Sequence, residues 1–170
     1  MGDRIILHCD LNNFFASVSL LFNPTLKFLP VAVCGDRENR HGIVLAKNEN
    51  AKKFGVKTAE TISDARRKCP DLVILPPLMD KYREYSKKAH AVYERYTDMI
   101  EPFGIDECWL DVTGSTLLFG SGEQIAERIR KDIKNELGIT VSVGVSFNKV
   151  FAKLGSDMKK PDAITVIEKD

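Results

Sequence analysis

The sequence predicts an α+β protein: a ferredoxin-like antiparallel sheet with helices on one face, interrupted by a small inserted lobe. Two observations carry this. Leaving out residues 24 to 78, the short β-type runs and the helical patterns follow each other as strand, helix, strand hairpin, helix, strand, helix, strand, the order of a split βαβ layout. Residues 24 to 78 are denser in Pro, Gly and charge and read as a separate small lobe.

"RIILHCDL" has the β-rich composition of a short strand that ends at an acid, Asp10. "NNFFASVSLLF" follows as a helix with Asn12 or Asn13 as its N-cap, so Asp10 falls at a strand-to-helix junction. In the lobe, "PVAVCG" is a strand, "NENAKKFG" a helix that Gly55 can end, and a further helix starts near Ser63 and stops at Pro70. From Met79 to Ile100 the spacing of Met79, Tyr82, Ala89, Tyr93, Tyr96 and Ile100 predicts one long amphipathic helix. "CWLDV" is a strand paired through a turn with the residues before Asp106. Ser121 and Gln124 form a capping box for a helix with Ile125, Ile129, Ile133 and Leu137 on one face. "ITVSVGVS" is a strand, "NKVFAKLGSDM" a short helix and "AITVI" the last strand.

The 170 residues, 44% hydrophobic and 29% charged, suit one soluble domain with an appended lobe. No apolar run approaches a membrane span, and His8 and Asp10 interrupt the N-terminal run before a signal-peptide core could form, so a cytoplasmic protein is expected. Cys9, Cys34, Cys69 and Cys108 are widely spaced and form no C-x-x-C pair; they are expected as buried reduced thiols. His8, His41 and His90 show no ligand spacing. The net charge of +1 excludes a uniformly basic nucleic-acid binder, but the charge is uneven. Residues 47 to 68 carry seven Lys or Arg against three acids, while residues 98 to 111 carry five acids and no basic residue.

Asp106 and Glu107 stand side by side in a run that otherwise looks like core. An adjacent acid pair is ordinarily a solvated turn. A third acid, Asp10, at the end of a strand that can neighbour the hairpin changes the balance, because three carboxylates in one small volume repel unless a cation joins them. Mg²⁺ favours such hard oxygen ligands. Phe14, with Val18 and Leu21, reads as core, whereas Phe15 can form a flat wall against a sugar or base. Lys159 and Lys160 precede a proline, and one can serve as a point charge for a triphosphate. Trp109 and the tyrosines of the long helix read as core.

Together the stretches "DLNNFFASV", "KKFGVK", "GIDECWLDVTGS" and "VSVGVSFNKVFAKLGSDMKKPDAI" resemble the Y-family, or translesion, DNA polymerases of the DNA polymerase IV type. The resemblance implies a palm over residues 1–23 and 79–166, fingers over 24–78, and thumb and little finger domains outside this chain, which would make it a catalytic-core fragment. It implies two Mg²⁺ ions, with Mn²⁺ as a substitute, held by Asp10 and Asp106 jointly, by Glu107, and by the backbone carbonyl of Leu11. It further implies Phe15 as a steric gate against ribose, and Asn13, Phe14, Lys52 and Lys160 as nucleotide-binding residues. The implied partners are primer-template DNA, deoxynucleoside triphosphates and, through a part outside this chain, a sliding clamp, for a monomeric protein that does not engage membranes.

Four positions depart from the family pattern. Glu49 stands where Tyr is usual, Lys52 where Arg is usual, Gly104 where many members have Ser, and Ser19 where Glu is frequent. A nucleotide cyclase can use the same palm chemistry, but its Gly-Gly-Asp/Glu-Glu-Phe hairpin is not in this sequence. A non-catalytic module derived from a polymerase palm is the other alternative.

Overall fold

The structure is a computed structural model that describes residues 3–35 and 42–169. In chain order its elements are β1 (Ile6–Leu11), α1 (Phe14–Leu21), β2 (Val31–Cys34), β3 (Val44–Lys47), α2 (Glu49–Lys53), α3 (Ile62–Lys68), β4 (Val73–Leu75), α4 (Met79–Tyr93), β5 (Ile100–Pro102), β6 (Glu107–Asp111), α5 (Thr116–Phe119), α6 (Gly122–Asp132), β7 (Val141–Ser146), α7 (Lys149–Met158) and β8 (Ile164–Val166). They form two compact units, Met1–Asn12 with Arg83–Asp170, and Asn13–Tyr82. The second unit includes the lobe expected at 24–78 together with α1, which packs on β2 and β3. His41 lies outside the described residues.

The first unit is built on a five-stranded sheet in the order β5-β6-β1-β7-β8. Neighbours are antiparallel except β7 and β8, so the first four strands have the expected ferredoxin-like arrangement. Side chains alternate across the pleat. Leu7, Cys9, Cys108, Leu110, Val143 and Val145 share one face and are all buried. His8, Asp10, Glu107, Trp109, Ser142 and Gly144 share the other. Trp109 is thus outside the apolar core, and its indole Nε1 donates to the Lys149 carbonyl at 3.1 Å.

The expectation of helices on one face describes α6, which lies on the Leu7 side. A Cβ on its Gly122 would come within 2.6 Å of the Ile5 Cγ2 and 2.9 Å of the Val145 Cγ1. The predicted capping box is present: Ser121 Oγ accepts from the Gln124 amide, and Gln124 Oε1 from the Ser121 amide. Ile125, Ile129 and Ile133 are fully buried. The opposite face is crossed by α7, which is capped by Asn148 accepting from the Phe151 amide at 2.9 Å. Gly144 sets that approach, since a Cβ there would lie 1.8 Å from the Ala152 carbonyl oxygen.

The long helix is shorter than its apolar spacing predicts. It ends at Tyr93, and Ile100 opens β5. Thr97 accounts for the difference, donating from its hydroxyl to the Asp111 carbonyl at 2.7 Å and accepting from the Met99 amide at 3.0 Å. Those bonds tie the chain to β6 in place of another helical turn. Gly104, at φ 84°, supplies the left-handed residue that the β5–β6 turn needs.

The second unit holds a three-stranded sheet, β3-β2-β4, antiparallel on one side of β2 and parallel on the other. Strands β3 and β4 have no alternating pattern and were not expected from the sequence. Ala32, Cys34, Val44, Ala51, Val56, Ala65, Cys69, Leu72 and Ile74 form its core. Helix α2 is capped by Asn48, whose Oδ1 accepts from the Ala51 and Val31 amides, each at 3.0 Å; α3 is capped by Thr61. All four cysteines are buried free thiols, as expected. Among the described residues no helix is long and apolar enough to cross a membrane.

Candidate functional site

The sheet register places Asp10 directly opposite Glu107, on the face that α7 crosses. Asp106 precedes β6, and its carbonyl accepts from the Leu11 amide at 3.0 Å, which locks the hairpin turn to the end of β1. The three predicted carboxylates thus come together in the first unit. Burial comes first in raising the Asp106 carboxyl to about 6, with the charges of Asp10 and Glu107 adding to it. Asp10 is also raised, by burial before all else, against the opposing pull of Lys160. An anionic site with too little solvation has been assembled here, and a cation would relieve it.

Lysines meet that need in the structure. Lys160 Nζ lies 2.5 Å from Asp10 Oδ2 and 2.8 Å from Asp157 Oδ1. Burial acts to lower the Lys160 ammonium, but its hydrogen bonds to these two carboxylates outweigh that and its pKa is raised. Lys153 pairs with Glu107 Oε1. Among the described residues no three His, Cys, Asp or Glu side chains converge as a ready metal cluster.

His8, to which the sequence assigned no role, lies fully buried beneath this group. Its Nδ1 is 2.7 Å from Ser156 Oγ, and that hydroxyl donates to the Lys153 carbonyl at 2.7 Å. Ser156 has one proton to give, so it accepts from His8, and His8 Nδ1 is the protonated nitrogen. Burial first, then the Lys153 charge, lower this imidazole to about 4. Neutral His8 holds α7 against β1 and supplies no charge to Glu107. Asn12 continues the support: its Nδ2 donates to Ser142 Oγ, and its Oδ1 accepts from Thr140 Oγ1 and from the Asp162 amide, each at 2.9 Å.

Two other acids of the 98–111 run have partners of their own. Asp111 accepts from Arg4 at 2.7 Å, and Glu101 from Lys149 at 2.6 Å. Lys153, Asp157, His8 and Ser156 were missed because each has an ordinary place in a strand or on an amphipathic helix. The three-to-four-residue spacing of Lys153, Asp157 and Lys160 is the signal that could have found two of them.

The remaining predicted residues belong to the second unit. Asn13 occupies the N-cap position of α1 at φ 46°, but its side chain does not cap the helix. It donates instead to Glu49 Oε1 at 2.9 Å, so the Glu49 carboxylate has a hydrogen-bond donor within its own unit. Phe14 is 3% exposed and belongs to the core. Phe15 stacks on Tyr82 with ring centroids 4.2 Å apart and planes 10° from parallel. The Tyr82 hydroxyl is 2.6 Å from Ser19 Oγ, which explains a small polar residue at position 19. Lys52 is exposed in the last turn of α2.

Residues 9–157 match the impB/mucB/samB family. The chain is 65% identical over 164 residues to a DNA polymerase IV of Acetivibrio thermocellus, covering 96% of this chain and 41% of that protein. It is 46% identical to a DNA polymerase IV of Ralstonia nicotianae, covering 96% of this chain and 46% of that protein. Among solved structures, an insertion ternary complex of Dbh DNA polymerase matches with a TM-score of 0.90 at 34% identity, over 96% of this chain and 48% of that one. DinB from Sulfolobus solfataricus matches with a TM-score of 0.90 at 33% identity, with the same coverage. The chain spans less than half the length of these relatives. The resemblance to DNA polymerase IV is borne out, and since the match includes Asp10, Asp106, Glu107 and nearly all of α7, this chain belongs to the impB/mucB/samB family.

Proposed function

We propose that this chain is the palm-and-fingers portion of a template-directed DNA polymerase of the translesion class, adding deoxynucleotides to a primer 3′ end. The observation that carries the reading is the pairing of Asp10 with Glu107 across β1 and β6, with Asp106 beside them and with Lys153 and Lys160 as counter-charges. Hard carboxylate oxygens in a partly dry setting are the donors that Mg²⁺ prefers, so the residues fit a divalent cation. Asp10, Asp106 and Glu107, with the Leu11 carbonyl, would hold two Mg²⁺ ions, or Mn²⁺ in their place. Such ions lower the pKa of a primer hydroxyl and neutralise a leaving pyrophosphate.

The protein's own residues supply orientation and charge. Lys160, already drawn to this centre, would contact the triphosphate as a point charge. Phe15, held flat by Tyr82 and Ser19, would exclude a ribose 2′-hydroxyl by clash, with Phe14 as its backing. Asn13 and Lys52 are proposed as further nucleotide contacts. Primer-template DNA and deoxynucleoside triphosphates are the proposed partners; recruitment by a sliding clamp would involve a part outside this chain.

Calorimetric titration of a deoxynucleoside triphosphate with Mg²⁺ into wild type and Asp10→Asn tests the reading. Binding that the variant loses supports it. Equal binding by both would remove the carboxylates from the nucleotide site and the proposal with them.

A further inference from the structure

Lys153, Asp157 and Lys160 lie three or four residues apart along α7 and the residues that follow it, and so line one side of it. Gly144 holds that helix directly on the sheet, because nothing larger than hydrogen fits beneath Ala152. The two ammonium groups are therefore carried to the carboxylates by backbone packing as well as by charge. Their situations differ. Lys160 is shared between Asp10 and Asp157, so it keeps a carboxylate whatever happens at Asp10. Lys153 is paired with Glu107 itself.

A carboxylate oxygen engaged by an ammonium must give up that partner to enter the shell of a hard cation. We propose that Lys153 is the built-in counter-ion of Glu107: it holds the carboxylate while no divalent cation is bound and is displaced when one binds. This rests on the reading of Asp10, Asp106 and Glu107 as cation ligands, and adds a competitor supplied by the chain itself. A released Lys153 has company within reach. Its Nζ is 5.4 Å from the centre of the Phe103 ring, and Asp157 stands one helical turn further along α7. Lys153 thereby makes the site tolerable without metal, at the cost of weaker cation binding.

The test is Mn²⁺ binding to the chain without nucleotide, read from the electron paramagnetic resonance signal of the free ion. Lys153→Gln should bind Mn²⁺ about two- to fivefold more tightly than wild type, the range expected for loss of a partly exposed ion pair. Lys153→Met, which keeps the apolar stem, should behave alike. Lys149→Gln is the control: it removes the same charge from the same helix, but its partner is Glu101, and it should leave the affinity unchanged. In metal-free buffer Lys153→Gln should melt below Lys149→Gln, and saturating Mn²⁺ should close the gap.

Unchanged or weaker Mn²⁺ binding by Lys153→Gln would overturn the inference, as would equal tightening by Lys149→Gln, which would reduce the effect to net charge. Asp106→Asn separates the two levels. If it loses the Mn²⁺ that wild type binds while Lys153→Gln equals wild type, only the counter-ion role fails. If it binds as wild type does, or if neither wild type nor Lys153→Gln binds Mn²⁺, the cation reading fails and takes the counter-ion with it.

Discussion

Asp106 shows how a single side chain can oppose the fold that carries it. Its carboxyl is raised to about 6, by burial first and by Asp10 and Glu107 next, so the folded state holds this proton more tightly than the unfolded chain does. For a raised acid the sign is unfavourable: without a cation, stability falls as the pH climbs from near 4 to near 6, and stays lower above that. Asp106→Asn removes the charge. In chelator, it should be more stable than wild type at pH 8, by on the order of 1 kcal/mol after discounting for solvent screening, and should lose most of that advantage by about pH 4, the ordinary carboxylate value. Melting curves at the two values decide it, and a variant less stable at both would contradict the argument. A second prediction concerns Phe15: Phe15→Ala should admit ribonucleotides in primer extension, and unchanged sugar discrimination would remove its assignment. The three acids were legible because each interrupts or ends an apolar strand, where a charge needs a reason. Lys153 was not, since a lysine on an amphipathic helix is ordinarily solvated and only the tertiary pairing with Glu107 distinguishes it.

Among the elements, α7 governs the site because it brings Lys153, Ser156 and Asp157 to the face bearing His8 and Asp10. Gly144→Ala should be costly, about 3 kcal/mol or more, because the new Cβ would meet the backbone of Ala152 and Ser156, at 1.8 Å and 2.5 Å, and backbone cannot step aside as a rotamer can. Chemical denaturation measures this. Gly122→Ala under α6 should cost less, since the atoms it meets are the methyl groups of Ile5 and Val145. The capping box of α6 and the caps supplied by Asn48 and Asn148 involve local chemistry, which is why these helices could be read from the sequence. The end of α4 could not: apolar spacing continues to Ile100, and what stops the helix is Thr97 bonding to Asp111 on β6, fourteen residues away in the chain. Strands β3 and β4 escaped for a related reason, being only four and three residues long and defined by their pairing with β2.

The two units of the whole molecule are built from different materials. The first has a five-stranded sheet whose core includes Leu7, Leu110, Ile125, Ile129, Ile133 and Tyr93. The second relies on a three-stranded sheet and a cluster rich in Ala, Cys and Val, small side chains that each remove little apolar surface from water. Amide hydrogen exchange should therefore show the second unit opening at lower free energy than the first. Uniform protection across both would show that they unfold as one cooperative body. Composition changes at residue 24, whereas α1, from residue 14 onward, already packs on β2 and β3.

The pairing of β1 with β6 also bears on errors in assembly. Along β6 the residues alternate, with Glu107 and Trp109 toward α7 and Cys108 and Leu110 in the apolar core. A slip of one residue would turn Glu107 inward among Leu7 and Cys9 and bring Cys108 and Leu110 out. A misregistered hairpin would thus forfeit its hydrophobic burial in the same motion that scattered its acids. The fold proofreads its own chemistry: a molecule whose carboxylates are out of line is one whose core has not formed.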